Sequence, residues 1–169
     1  MLVIDLRDLH NGPVETVGRL EPADPAFEGL GLELDGPVEV RGRLQETGQA
    51  EFFWHATLTG RFRGACRRCL TEFTYPFATD VDALFSANPD TADDPSVYPL
   101  DQPVSRVDVR HAVREELALS STGFPLCRED CAGLCSRCGA DLNAGPCSWL
   151  SRRNSTSTSR TKKRRSCAP

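Results

Sequence analysis

The amino-acid sequence predicts an α+β fold: an antiparallel β-sheet, curled or barrel-like, then one C-terminal helix and a cysteine-rich hook. Three observations predict it. Apolar and polar residues alternate in several segments of the first 85 residues, the period-two mark of half-buried strands. One later stretch, 107–119, repeats its apolar residues at helical spacing instead. Six of the eight cysteines gather as Cys66-x2-Cys69 and Cys127-x3-Cys131-x3-Cys135-x2-Cys138.

Taken in order, residues 2–9 predict a first strand, with Leu2, Ile4 and Leu6 on alternate positions. His10-Asn11-Gly12-Pro13 supplies turn chemistry after it. Residues 19–31 are rich in proline, glycine and acids and read as a loop. Gly36-Pro37 marks a turn into a strand over 38–44, which alternates from Val38 to Leu44. A turn at 46–49 leads to a strand over 52–62, rich in aromatic and β-branched residues. That strand runs into the Cys66 knuckle, and strand character resumes over 73–85. Pro76 there predicts an edge or a bulge, because proline has no N–H for a ladder. Residues 86–104 are acidic and poor in apolar side chains, so they read as a long loop. In the helix, Val109, Ala112, Val113, Glu116 and Leu117 fall near one face. Glu115 and Glu116 read as a solvated patch. Gly123 and Pro125 end the helix and open the hook, 124–147.

With 169 residues and 39% apolar content, the chain is one domain with a modest core and a tail. Its net charge of −4 conceals a division. Residues 148–169 form a basic, low-complexity tail rich in Ser, Thr, Arg and Lys, which cannot support a core and is expected to be disordered. The last nineteen residues hold seven of the twenty Lys and Arg and no acid. The body before them is strongly acidic. Charges interrupt the first eight residues before a signal-like apolar run can form, and no run is long enough to span a bilayer. The expected location is the cytoplasm, without membrane association, where thiols stay reduced.

Reduced cysteines two residues apart read as metal ligands, because a tight turn can aim both thiolates at one tetrahedral ion. Structural zinc is the expected cofactor, with Cys66, Cys69, Cys127, Cys131, Cys135 and Cys138 as its ligands and Cys147 as a further candidate. Several groupings satisfy the spacing. Cys66, Cys69, Cys135 and Cys138 could share an ion, as could Cys127, Cys131, Cys135 and Cys138. A two-site scheme gives Cys66, Cys69, Cys127 and Cys131 one ion and places Cys135, Cys138 and Cys147 at a second, with no obvious fourth ligand. Cys167, in the tail, is not expected to bind. The competing chemistry is thiol exchange at Cys66-Arg67-Arg68-Cys69, where two arginines would favour thiolate. Redox pairs of that kind sit at a helix N-terminus, whereas this pair lies between strands.

Other catalytic patterns are missing. His10, His55 and His111 lack metalloprotease spacing, and no Walker or dinucleotide glycine loop occurs. An ion closed by four thiolates has no position for substrate or water. The expectation is therefore a protein that is not an enzyme and takes no small-molecule substrate.

Cys66-Arg67-Arg68-Cys69-Leu70 resembles the C-x-R-C-L segment of bacterial YceD-like proteins. The run from Phe124 to Asn143, FPLCREDCAGLCSRCGADLN, is still closer to that family's late signature. Asp5-Leu6-Arg7 and Glu115-Glu116-Leu117 also fit, so the likeness covers residues 1–147. The resemblance implies a ribosome-biogenesis factor that supports 23S rRNA accumulation. Its implied partners are 23S rRNA or a pre-50S particle, or a large-subunit ribosomal protein. The sequence departs from the family after Cys147, where Ser148-Trp149 stand in place of a second cysteine two residues on. The tail that follows is either an RNA-binding extension or a frame-shifted end.

Arg61 and Arg63 alternate on one strand, and Arg67 and Arg68 follow on the knuckle. Together they are the candidate surface for rRNA phosphates or an acidic partner, with pairing to the chain's own carboxylates as the competing role. A protein–protein adaptor without direct RNA contact and a CxxC thiol oxidoreductase are the rival functions.

Overall fold

A computed structural model describes residues 2–91, 93–121 and 123–147. The calls for a basic tail at 148–169 and for a non-binding Cys167 lie outside the described residues. The chain divides into two compact units: 1–64 with 74–123, and 65–73 with the segment from Phe124 onward.

The first unit carries the sheets and the helix. Strand β1 (Val3–Asp5) pairs antiparallel with β7 (Arg106–Asp108). A second, five-stranded sheet has the order β2 (Val14–Leu20), β3 (Val38–Gly48), β4 (Glu51–Ala65), β5 (Glu72–Ser86), β6 (Val97–Pro99). β2, β3 and β4 pair antiparallel in sequence order. Side-chain pairs His55–Asp82, Thr57–Asp80 and Arg61–Thr74 run in opposite senses along β4 and β5, which makes that pair antiparallel too. β6 joins β5 in parallel through Leu84–Ser86 only. Among the described residues β2 and β6 are the two free edges. The sheet is therefore open, and the barrel-like closure expected from sequence is corrected.

Period two explains the core. Val38, Val40 and Leu44 of β3 and Trp54, Ala56 and Leu58 of β4 point to one face and are almost wholly buried. Gly42 continues that row at the register partner of Ala56, where a Cβ would lie 2.5 Å from the Ala56 Cβ. Two strands can approach there only because one of them lacks a side chain. Helix α1 (Arg110–Ser120) adds Ala112, Val113 and Leu117 to this core.

Several elements differ from the sequence reading, each for a local reason. The first strand ends at Asp5, because the Asp5 carboxylate accepts from the Arg7 N–H and caps a 3-10 helix over Leu6–Asn11. β2 is not foreseen at all, since of its two buried positions, Thr16 and Leu20, the one at its centre is polar. The acidic segment 86–104 contains β6, anchored where the Tyr98 ring stacks on Phe85 at 5.0 Å between centroids. Val107 belongs to β7, so the helix starts at Arg110. Pro76 lies in the half of β5 that β6 does not reach, an edge position that tolerates a missing N–H. Glu116 accepts hydrogen bonds from Thr79 and Ser120, and Glu115 accepts one from Tyr98, so the two glutamates tie the helix to its surroundings.

Candidate metal centres

All seven described cysteines fall in the second unit. Its local backbone shows why. In the Cys66 knuckle the Cys66 N–H donates to Thr71 O at 2.9 Å and the Leu70 N–H donates to Cys66 O at 2.8 Å. The Cys135 knuckle repeats the arrangement. The Cys135 N–H donates to Ala140 O and the Gly139 N–H to Cys135 O, both at 2.8 Å. The residue four beyond the first cysteine is left-handed in each: Leu70 at φ +61° and Gly139 at φ +71°. Glycine takes that conformation freely, whereas leucine takes it at a cost.

The two cysteine-bearing segments are tied together by backbone. The Arg67 N–H donates to Pro125 O at 3.1 Å, and the Leu134 N–H donates to Arg68 O at 3.0 Å. Gly133 sits at φ +73°, and a Cβ there would meet Arg68 O at 2.9 Å. Arg68 closes the contact from the other side, with Nη1 donating to Cys131 O at 3.0 Å and Glu129 O at 3.4 Å.

The result is two thiol clusters. The Sγ atoms of Cys66, Cys69, Cys127 and Cys131 all lie within 4.8 Å of one another, and so do those of Cys135, Cys138 and Cys147. This is the grouping of the two-site scheme. Neither arrangement that joins Cys135 and Cys138 to a single site with the earlier cysteines is the one that converges. A tetrahedral ion with metal–sulfur bonds of about 2.3 Å sets its sulfurs about 3.8 Å apart. Cys66 and Cys131 stand at 3.8 Å, Cys69 and Cys127 at 3.6 Å, and Cys135 and Cys147 at 3.4 Å. These separations also suit S–H···S hydrogen bonds, but weak pairwise bonds do not require four sulfurs to converge mutually. Both donor sets therefore fit a thiophilic ion such as zinc.

The electrostatics favour thiolate at chosen positions. The Cys127 backbone N–H, helped by those of Cys69 and Arg68, lowers the Cys66 thiol to about 6. The Thr71 hydroxyl, 3.3 Å from Cys69 Sγ, lowers Cys69 by donating to its thiolate. Burial pushes Cys127 up to about 12, with its cysteine neighbours adding to the rise. In the second cluster the N–H groups of Arg137 and Cys138 bring Cys135 down to about 7. A cation placed among these groups would relieve the mutual repulsion of the thiolates.

Thr71 and Asn143 are functional candidates that sequence reasoning passed over. Asn143 Nδ2 donates to Cys131 Sγ at 3.6 Å, while its Oδ1 accepts from the Ala132 N–H at 2.8 Å. Such partners orient a ligand and tune its basicity. The only signal was position, since Asn143 closes the motif that begins at Phe124.

The four arginines divide between the units. Arg61 and Arg63, in the first, both reach Asp35, at 3.6 and 3.0 Å. In the second, Arg68 is engaged with carbonyls of the hook, as above. Arg67 is exposed and lies over the Phe124 ring, 5.8 Å from its centroid.

A family model described as Large ribosomal RNA subunit accumulation protein YceD matches residues 54–165. Curated relatives are mycobacterial and uncharacterised. A protein of Mycobacterium leprae is 25% identical over 155 residues, covering 86% of this chain and 69% of the relative. Proteins of Mycobacterium bovis and Mycobacterium tuberculosis are each 33% identical over 130 residues, covering 74% of this chain and 61% of the relative. No solved structure matches the chain. The family match takes in both knuckles and the whole hook, the parts on which the thiol clusters are built, and the chain belongs to the YceD family.

Proposed function

We propose that this protein is a non-catalytic ribosome-biogenesis factor that supports the accumulation of 23S rRNA. The family match over residues 54–165 carries the reading, through the role that the family's name describes. Cys66, Cys69, Cys127 and Cys131 would hold one zinc ion, and Cys135, Cys138 and Cys147 would contribute to a second. Zinc bound by four thiolates supplies rigidity and no open coordination position. Among the described residues the buried cluster of Cys66, Cys69 and Cys131 has the partly buried Phe73, Leu126 and Leu134 packed against it, a small apolar set, so a metal would supply much of the hook's stability. The proposed site of action is the cytoplasm, and no described helix is long and apolar enough to cross a membrane.

The contact surface is best sought in the second unit. Arg67 over the exposed Phe124, with exposed Leu70 on the same turn, offers a cation and apolar area to rRNA or to a large-subunit ribosomal protein. Arg61 and Arg63 already share Asp35, so their contribution requires that pairing to yield. Thiol exchange is disfavoured, because Cys66 has the depressed pKa but is fully buried.

The test is complementation. In cells lacking the gene, the ratio of 23S to 16S rRNA is expected to fall and to be restored by the wild-type chain. Cys66→Ser is expected not to restore it. An unchanged ratio in the deletion overturns the proposal. Pull-down after nuclease separates the partner classes, since a protein adaptor keeps its ribosomal protein and a direct RNA binder loses its particle.

A further inference from the structure

The first unit holds a hollow that neither the thiol clusters nor the ribosome reading uses. Its volume is about 480 Å³, and it lies among β6, the segment 100–105, β7 and the first turns of α1. Ligand sites are hollows of this size, mostly apolar, on which a few polar groups converge. One wall is aromatic: the half-buried Tyr98 ring stacks on the buried Phe85 at 28°. Leu100, Pro103 and Val104 add apolar surface. Hydrogen bonds pin this wall at both ends. The Leu100 N–H donates to Ser86 O at 2.8 Å, and the Leu6 N–H donates to Ser105 O at 3.0 Å. Between them, Gln102 Nε2 donates to Ala87 O at 2.9 Å. The hollow is therefore formed before any ligand arrives.

Its polar groups narrow the choice of ligand. His111 and Glu115 stand four residues apart on α1 and share a face. The Tyr98 hydroxyl donates to Glu115 Oε2 at 2.5 Å, which fixes the carboxylate at the aromatic wall. Burial, and then the Glu115 carboxylate, raise the Tyr98 pKa, so that hydroxyl stays a donor. A carboxylate offers about four lone-pair sites, and one hydroxyl leaves the rest to a ligand. Arg106 lines the hollow from β7 and also lines a neighbouring one. Asp101, Asp108 and Glu115 outnumber Arg106 and His111 here, so a bare anion is a poor match. A matching molecule brings a flat body for the Tyr98 wall, adjacent N–H donors for Glu115 and a negative group for Arg106.

We propose that this hollow binds a guanine nucleotide, its base against Tyr98, its N1–H and N2–H donating to Glu115 and its phosphate at Arg106. Guanine alone sets two N–H donors side by side on its Watson–Crick edge. Adenine and cytosine put an acceptor beside their amino group, which a carboxylate repels, and uracil has one N–H between two carbonyls. The nucleotide is either free or an unpaired residue of an RNA. The neighbouring hollow, also about 480 Å³ and sharing Val104, Ser105 and Arg106 with the first, gives room for the next residue of a strand. The site owes nothing to the thiol clusters, so its failure would leave the metal and rRNA readings as they are.

Two titrations of the full chain test it. One follows guanosine and adenosine monophosphates by calorimetry. The other follows labelled oligouridines with a central guanosine or adenosine by fluorescence anisotropy. The basic end of the sequence attracts any RNA, so the readout is preference among bases rather than affinity. Guanine is expected to be favoured about 5- to 150-fold. Glu115→Gln keeps an acceptor for the Tyr98 hydroxyl and should abolish that preference. Arg106→Gln should weaken both bases alike and keep the preference. Preference in the monophosphate titration identifies a free nucleotide as sufficient, and preference confined to the oligonucleotides identifies a residue of RNA. No preference in either titration, or a preference that survives Glu115→Gln, overturns the site.

Discussion

Leu70 marks a place where the two knuckles solve one geometric problem with different residues. The left-handed position is glycine in the second knuckle and leucine in the first, at φ +61°. A non-glycine residue there costs about 1 kcal/mol, and the Leu70 side chain is 65% exposed, so little packing offsets it. Leu70→Gly is expected to tighten metal at the first cluster by up to about fivefold, measured by competition with a chromogenic chelator. A loss of affinity would show that the leucine contributes more than its conformation costs. Asn143→Ala tests the opposite case. It removes the N–H donor to Cys131 Sγ and the acceptor for the Ala132 N–H, and should weaken the same ion by about 10- to 100-fold. Gly133→Ala should be worse than either, because the new Cβ would press on Arg68 O at 2.9 Å in a conformation alanine resists.

At the scale of elements, β2 shows how a buried polar residue hides a strand. Its inward positions are Thr16, Gly18 and Leu20, a row that does not look apolar. Gly18 makes room for Leu2, and Thr16 accepts a 2.9 Å hydrogen bond from the buried indole N–H of Trp54. Thr16→Val keeps the shape and removes the acceptor, so the indole N–H loses its partner. A cost of about 1–3 kcal/mol is expected in chemical denaturation. A neutral result would mean that water or a shifted ring rescues the donor. Elements whose burial follows period two, such as β3 to β5, were legible from residue types alone. So was the helical face of Ala112, Val113 and Leu117. The Asp5 cap that shortens β1 is a local contact with Arg7 that the apolar pattern overrode, whereas β6 depended on a partner distant in sequence, the Phe85 ring that draws Tyr98 into it. The same limit governed the site. Spacing named the cysteines but could not sort them, because sorting depends on Arg68 O and Pro125 O, backbone groups that carry no sequence signal.

The two units of the molecule rest on different forces, and metal removal should separate them. The first unit has an apolar core running through Val38, Val40, Leu44, Trp54 and Leu58, which owes nothing to cysteine. In the second, the buried cluster consists of Cys66, Cys69 and Cys131 themselves. Without a cation, thiolates crowded within 4.8 Å repel, and the thiols that protonate instead leave the knuckle N–H groups with weaker acceptors. A strong chelator under reducing conditions is expected to abolish hydrogen-exchange protection at the Cys66, Leu134 and Leu142 amides, which donate to Thr71, Arg68 and Gly133. Protection across β3 and β4 should persist, since their ladder and core are local to the first unit. If the hook amides stay protected in metal-free protein, its backbone hydrogen bonds suffice and the ion is not structural. If β3 and β4 lose protection as well, the sheet depends on the hook for its stability and the two units form a single cooperative structure.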